Sequence, residues 1–152
     1  MSVLGELQPN KVFKYFEEIC SIPHGSRNLQ QISDYLVDFA KAHELKYRQD
    51  EDLNVIIWKD GSKGYEASEP VILQGHMDMV AVKEADCNKD MEKEGLDLEI
   101  NGDYISAKGT SLGGDDGIAV AYTLAVLDDE EMAHPPIEAI FTVNEEIGML
   151  GA

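Results

Sequence analysis

GIAVAYTLAVLDDEEMAHPPIEAIFTV, residues 117–143, is the stretch on which the fold turns. Residues 117–129 are apolar on nearly all sides, which predicts a helix buried on more than one face. Pro135 and Pro136 break the chain, and IEAIFTV (137–143) then reads as a buried strand. A buried helix leading into a buried strand is the alternation of an α/β layered protein.

Working outward, VILQ (71–74) is a short apolar run that predicts a buried central strand. Further strands are predicted at 45–49 and 54–59, the latter reading NVIIWK. Val12, Tyr15, Phe16, Ile19 and Cys20 recur at helical spacing, so 10–20 is a helix with Asn10 as N-cap. Leu29, Ile32, Leu36, Phe39 and Ala40 form the apolar stripe of a second helix over 28–44, capped by Ser26 or Asn28. In LDLEINGDYISA (96–107), apolar alternation on either side of Asn101–Gly102 predicts a hairpin. Residues 60–69 and 81–95 are polar or charged loops, and there is no repeat or linker. The expected fold is α/β, a layered αβα arrangement with a mixed sheet.

The bulk properties narrow the function. With 152 residues, 43% of them hydrophobic and 28% charged, the chain can build a core. A net charge of -18 repels phosphate backbones and anionic bilayers, so neither nucleic acid nor membrane is an expected partner. No apolar run reaches the ~18 residues of a membrane span, and the N-terminal residues lack a signal-peptide pattern. Two cysteines, Cys20 and Cys87, form no disulfide framework. That usage fits a reducing cytoplasm.

Three clusters carry the possible chemistry. Gly75-His76-Met77-Asp78 follows the VILQ strand; His76 and Asp78, two residues apart on an extended chain, point the same way. An imidazole there can bind a metal while the carboxylate fixes its tautomer. Gly113-Gly114-Asp115-Asp116-Gly117 opens the apolar helix, and Asn144-Glu145-Glu146-Ile147-Gly148 follows the 137–143 strand. Taken singly, each has an ordinary explanation: a solvated strand end, a helix cap, a polar loop. Together they place imidazole and carboxylate at strand and helix ends, where α/β sheets bind ligands. That donor set suits zinc. Two adjacent carboxylates can divide the work of metal ligand and general base.

In order along the chain, SIPH (21–24), NVII, VILQGHMDMV, KGTSLGGDDGIAVAY and TVNEEIGMLGA resemble the aminoacyl-histidine dipeptidases of the co-catalytic zinc peptidase superfamily. The resemblance implies hydrolysis of dipeptides of Xaa-His type with two zinc ions, cobalt and manganese being alternatives. It assigns His76 and Glu146 as metal ligands and Asp115 as the carboxylate bridging both ions. Asp78 becomes the residue orienting His76, and Glu145 the general base. It also implies a cis peptide bond between Asp115 and Asp116. No role follows for His24, His43 or His134, which are read as structural.

The same resemblance implies two further ligands beyond Ala152, a lid or dimerisation domain, and a homodimeric full-length parent acting on small peptides. Residues 1–152 are thus expected to be a partial catalytic domain with little activity alone and with apolar sheet edges exposed. Two other readings stay open: a deacylase or carboxypeptidase of the same superfamily, and a non-catalytic acidic domain that binds cations.

Overall fold

The helical spacing of residues 10–20 becomes α1 (Asn10–Cys20) in a computed structural model, which describes residues 2–152. Its stripe of Val12, Tyr15, Phe16, Ile19 and Cys20 is buried. The cap is not the expected one. The carbonyl of Pro9 accepts the N–H groups of Val12 and Phe13, so Pro9 holds the cap position. Asn10 instead donates its side-chain amide to the Gly5 carbonyl at 2.8 Å.

α2 (Gln30–Ala42) is shorter than the 28–44 expected and buries Ile32, Leu36, Phe39 and Ala40. Leu29 precedes it without any side-chain cap. The two expected caps are occupied elsewhere, Asn28 with the Glu92 carbonyl and Ser26 with Asp78.

Next come β1 (Lys46–Gln49), β2 (Val55–Lys59), β3 (Val71–His76), β4 (Leu98–Asn101), β5 (Tyr104–Ala107), α3 (Gly114–Leu127) and β6 (Ile137–Thr142). The main sheet runs β1-β2-β6-β3. β6 pairs antiparallel with β2 and parallel with β3, which makes the sheet mixed as expected. β4 and β5 stand apart as a two-stranded hairpin. Asn101 pairs with Tyr104, so the loop is Gly102–Asp103, one residue later than the Asn101–Gly102 signal suggested. Gly102 opens that loop at φ 62, a conformation glycine adopts freely.

VILQ is not a buried central strand among the described residues. It lies at the sheet edge in β3, with Val71 44% and Ile72 59% exposed. The central place belongs to β6, where Ile137, Ala139 and Phe141 are buried.

Register explains which face is covered. Val55 lies opposite Phe141, Ile57 opposite Ala139, and Gly75 beside Phe141. These residues share one face, and all five are buried. α2 reaches that face where Gln49, opposite Val55, donates to Ser33 at 2.8 Å. α3 reaches it at Gly75, where an added Cβ would sit 3.2 Å from Ala119. The helices of this chain therefore cover one face of the sheet. Ile56, Trp58 and Ile140 on the other face are only half-buried.

α3 matches its apolar sequence. Val120, Ala121, Leu124 and Leu127 are buried against α1 and β3. Asp115 and Asp116 have non-helical dihedrals, so the regular helix begins at Gly117.

Candidate metal centre

The strands deliver the clusters to one place. β3 ends at His76 and β6 at Thr142, adjacent in register, and the loops beyond both strands meet the N-terminus of α3. This is the carboxyl end of a parallel strand pair, the usual ligand position in an α/β sheet.

His76 is nearly buried, with its side chain 8% exposed. Its Nδ1 lies 3.0 Å from the Asp78 carbonyl and 3.3 Å from the Asp78 Oδ1. Its Nε2 faces Asp115 Oδ1 at 3.1 Å and Glu145 Oε2 at 3.8 Å. The His76 N–H donates to Asp116 Oδ2 at 3.3 Å, which ties the end of β3 to the start of α3. Burial by itself would lower the pKa of His76. The hydrogen bonds to Asp115 and the Asp78 carbonyl, with the charges of Asp78 and Asp116, outweigh it and raise the value. Asp116 is also raised, chiefly by burial.

Asp78 is 1% exposed and organises the centre. Its Oδ1 accepts the Glu145 N–H at 2.9 Å, and its Oδ2 accepts the Glu146 N–H at 3.3 Å and the Ser26 hydroxyl at 2.7 Å. Asp78 thus holds the imidazole of one cluster through its backbone carbonyl and the backbone of another through its buried carboxylate.

Asp115 stands at the opposite extreme, with its side chain 85% exposed. The Asp115–Asp116 peptide is cis, as the resemblance implies. Gly113, at φ 69, sits so close to Met79 that an added Cβ would lie 2.8 Å from its sulfur. Only a glycine lets the 113–117 loop approach the 76–79 loop in this way.

Of the five residues singled out in the sequence, His76, Asp115 and Glu146 each offer a ligand atom, and these atoms lie within 4.8 Å of one another. Glu145 stands beside them, and Asp78 lies beneath. One imidazole and two carboxylates form a donor set that zinc, cobalt or manganese accepts. Three contributors were not assigned from sequence: Ser26, Asp116 and Asn144. Asn144 adopts a left-handed conformation at φ 51, and its side-chain oxygen accepts the Arg27 N–H at 2.9 Å. His24 and His134 are both buried and hydrogen-bond to local backbone carbonyls, in keeping with structural roles. Among the described residues no helix is long and apolar enough to cross a membrane.

No family model matches the chain. Over its full length it is 41% identical to the cytosol non-specific dipeptidase of Escherichia coli, of which it spans 31%. The aminoacylhistidine dipeptidase of Vibrio alginolyticus superposes on 97% of the chain with a TM-score of 0.94 at 39% identity, and the match covers 30% of that protein. A tripeptidase from Staphylococcus aureus shares the fold at a TM-score of 0.75 and 24% identity. The chain thus spans about a third of the dipeptidases it matches. In sequence and in fold, the resemblance seen in the motifs holds from one end of it to the other.

Proposed function

We propose that this chain forms part of the catalytic domain of a metal-dependent dipeptidase using two zinc ions, with cobalt or manganese as substitutes. The observation that carries the reading is the convergence of His76, Asp115 and Glu146 over the Asp78 carboxylate. His76 and Glu146 would each hold an ion, with Asp115 between them. That would give each ion two ligands from these residues, short of the usual three or four.

A bound zinc would polarise a scissile carbonyl and lower the pKa of a water to ~7. The chain's own residues do the rest. Asp78 accepts from His76 Nδ1 through its backbone carbonyl and so keeps Nε2 free to face the ligand cluster. Its grip on the N–H groups of Glu145 and Glu146 sets where those side chains start. Glu145, half exposed at the edge of the cluster, takes the proton of the attacking water and hands it to the leaving amine.

The substrate is a small peptide. Motif resemblance and the name of the Vibrio alginolyticus protein favour Xaa-His dipeptides, whereas the Escherichia coli relative is named non-specific. Both classes therefore belong in the assay. Cytoplasmic location follows the name of the same relative, and a homodimer is the proposed state of the intact protein.

Glu145→Ala in the intact protein that carries this chain is expected to lower kcat by about 10²–10⁴-fold, the range for losing a general base. Zinc binding, read by calorimetry, should survive. Turnover at the parent rate would remove Glu145 from the base role. Loss of zinc binding would make it a ligand instead. Turnover of N-acyl amino acids in preference to dipeptides would favour the deacylase reading.

A further inference from the structure

Residues 24–27 form a strap that ties the loops of the metal centre together. The His24 carbonyl accepts the Met79 N–H at 3.1 Å, and the Ser26 N–H donates to the Met79 carbonyl at 3.2 Å. The Arg27 N–H donates to the Asn144 side chain at 2.9 Å. Gly25 runs so close to the 79–81 segment that an added Cβ would lie 2.7 Å from the Ala81 Cβ. Between these anchors the Ser26 hydroxyl donates to Asp78 Oδ2 at 2.7 Å, the shortest of the hydrogen bonds that this carboxylate accepts.

The N–H groups of Glu145 and Glu146 also donate to the Asp78 carboxylate, and the His76 ring lies 3.3 Å from it while bonding the Asp78 backbone carbonyl. Those are the groups Asp78 is there to position. Among the described residues Ser26 is the one side-chain donor on Asp78 that belongs to none of the three clusters, and its own backbone is fixed at both neighbours. Without it, a buried carboxylate would be held only by the parts it orients.

We infer that Ser26 is a positioning residue of the metal centre: its hydroxyl fixes the Asp78 carboxylate, and through it the 145–146 backbone that carries Glu145 and Glu146 beside the His76 ring. The inference rests on the metal-dependent reading above. The Ser26 hydroxyl bonds Asp78 and not His76, Asp115 or Glu146, so its loss acts through ligand geometry.

The test uses the intact protein that carries this chain, loaded with cobalt(II). Ser26→Ala is expected to weaken cobalt affinity about 10–100-fold, as removal of an outer partner of a ligand does. It should also shift the cobalt absorption bands and lower kcat with KM little changed. Ser26→Thr, which keeps the hydroxyl, should restore affinity and spectrum. Should Ser26→Ala fail to fold, Ser26→Cys, close in size but a weak donor, takes its place. Wild-type cobalt affinity and spectrum in the folded hydroxyl-free variant would overturn the inference. So would a loss of activity through KM alone. If the unaltered protein binds no cobalt, the metal reading falls and this inference falls with it. If it binds cobalt and Ser26→Ala binds it equally well, only the role of Ser26 falls.

Discussion

Gly75 immediately precedes His76 and is where α3 comes nearest to the sheet. A Cβ there would lie 3.1 Å from Asp116 Oδ2 and 3.2 Å from the Ala119 Cβ. The same Asp116 oxygen receives the His76 N–H. A side chain at position 75 therefore pushes on the helix and on the hydrogen bond that aligns the imidazole. Gly75→Val should cost about 1–3 kcal/mol, the usual penalty for overpacking a close contact. The measurement is the urea midpoint, which should fall while the slope of the transition stays the same. Gly75→Ala, needing a shift of only a few tenths of an ångström, should cost less. A valine variant with the parental midpoint would show that α3 can retreat freely.

The hairpin of β4 and β5 isolates a purely backbone effect. Nothing lies within 4 Å of a Cβ built on Gly102, yet its φ is 62. Gly102→Ala should therefore cost about 1 kcal/mol through the left-handed conformation alone. Hydrogen exchange should quicken at the amides of β4 and β5 and stay unchanged in β6; uniform quickening would make the hairpin part of the global unfolding unit. What could be read from sequence at this scale follows from how local the signal is. α1, α3 and β6 are legible because apolar period and burial coincide along consecutive residues. VILQ has the composition of a central strand, but position in a sheet depends on distant partners. Pairing across Asn101 and Tyr104 likewise moved the turn by one residue. The candidate metal cluster was legible because His76, Asp115 and Glu146 lie in short motifs beside strong elements. Ser26 was not, since a serine before a helix looks like a cap and its true partner is 52 residues away.

Across the whole molecule, acid dominates: 30 Asp and Glu face 12 Lys and Arg. The ion pairs that form are mostly exposed, such as Lys41 with Asp38 and Lys93 with Asp90, and such pairs contribute little. Most carboxylates in the folded chain therefore repel one another more closely than they would when unfolded. The Debye length shrinks from ~30 Å at 0.01 M salt to ~10 Å at 0.1 M, so added salt should relieve that repulsion across the surface while barely touching buried contacts. The expected result is a melting temperature that rises with sodium chloride over this range, by roughly 2–4 °C for each kcal/mol recovered. Tetramethylammonium chloride should act alike if screening is the cause, because that cation has no affinity for carboxylate clusters. If the proposed metal centre binds zinc, zinc should add a further increment that a chelator abolishes, because a ligand that binds only the folded state stabilises it. A melting temperature that stays flat or falls with both salts would mean that the acids are already balanced by favourable pairs. The net charge would then not limit the stability of this fold.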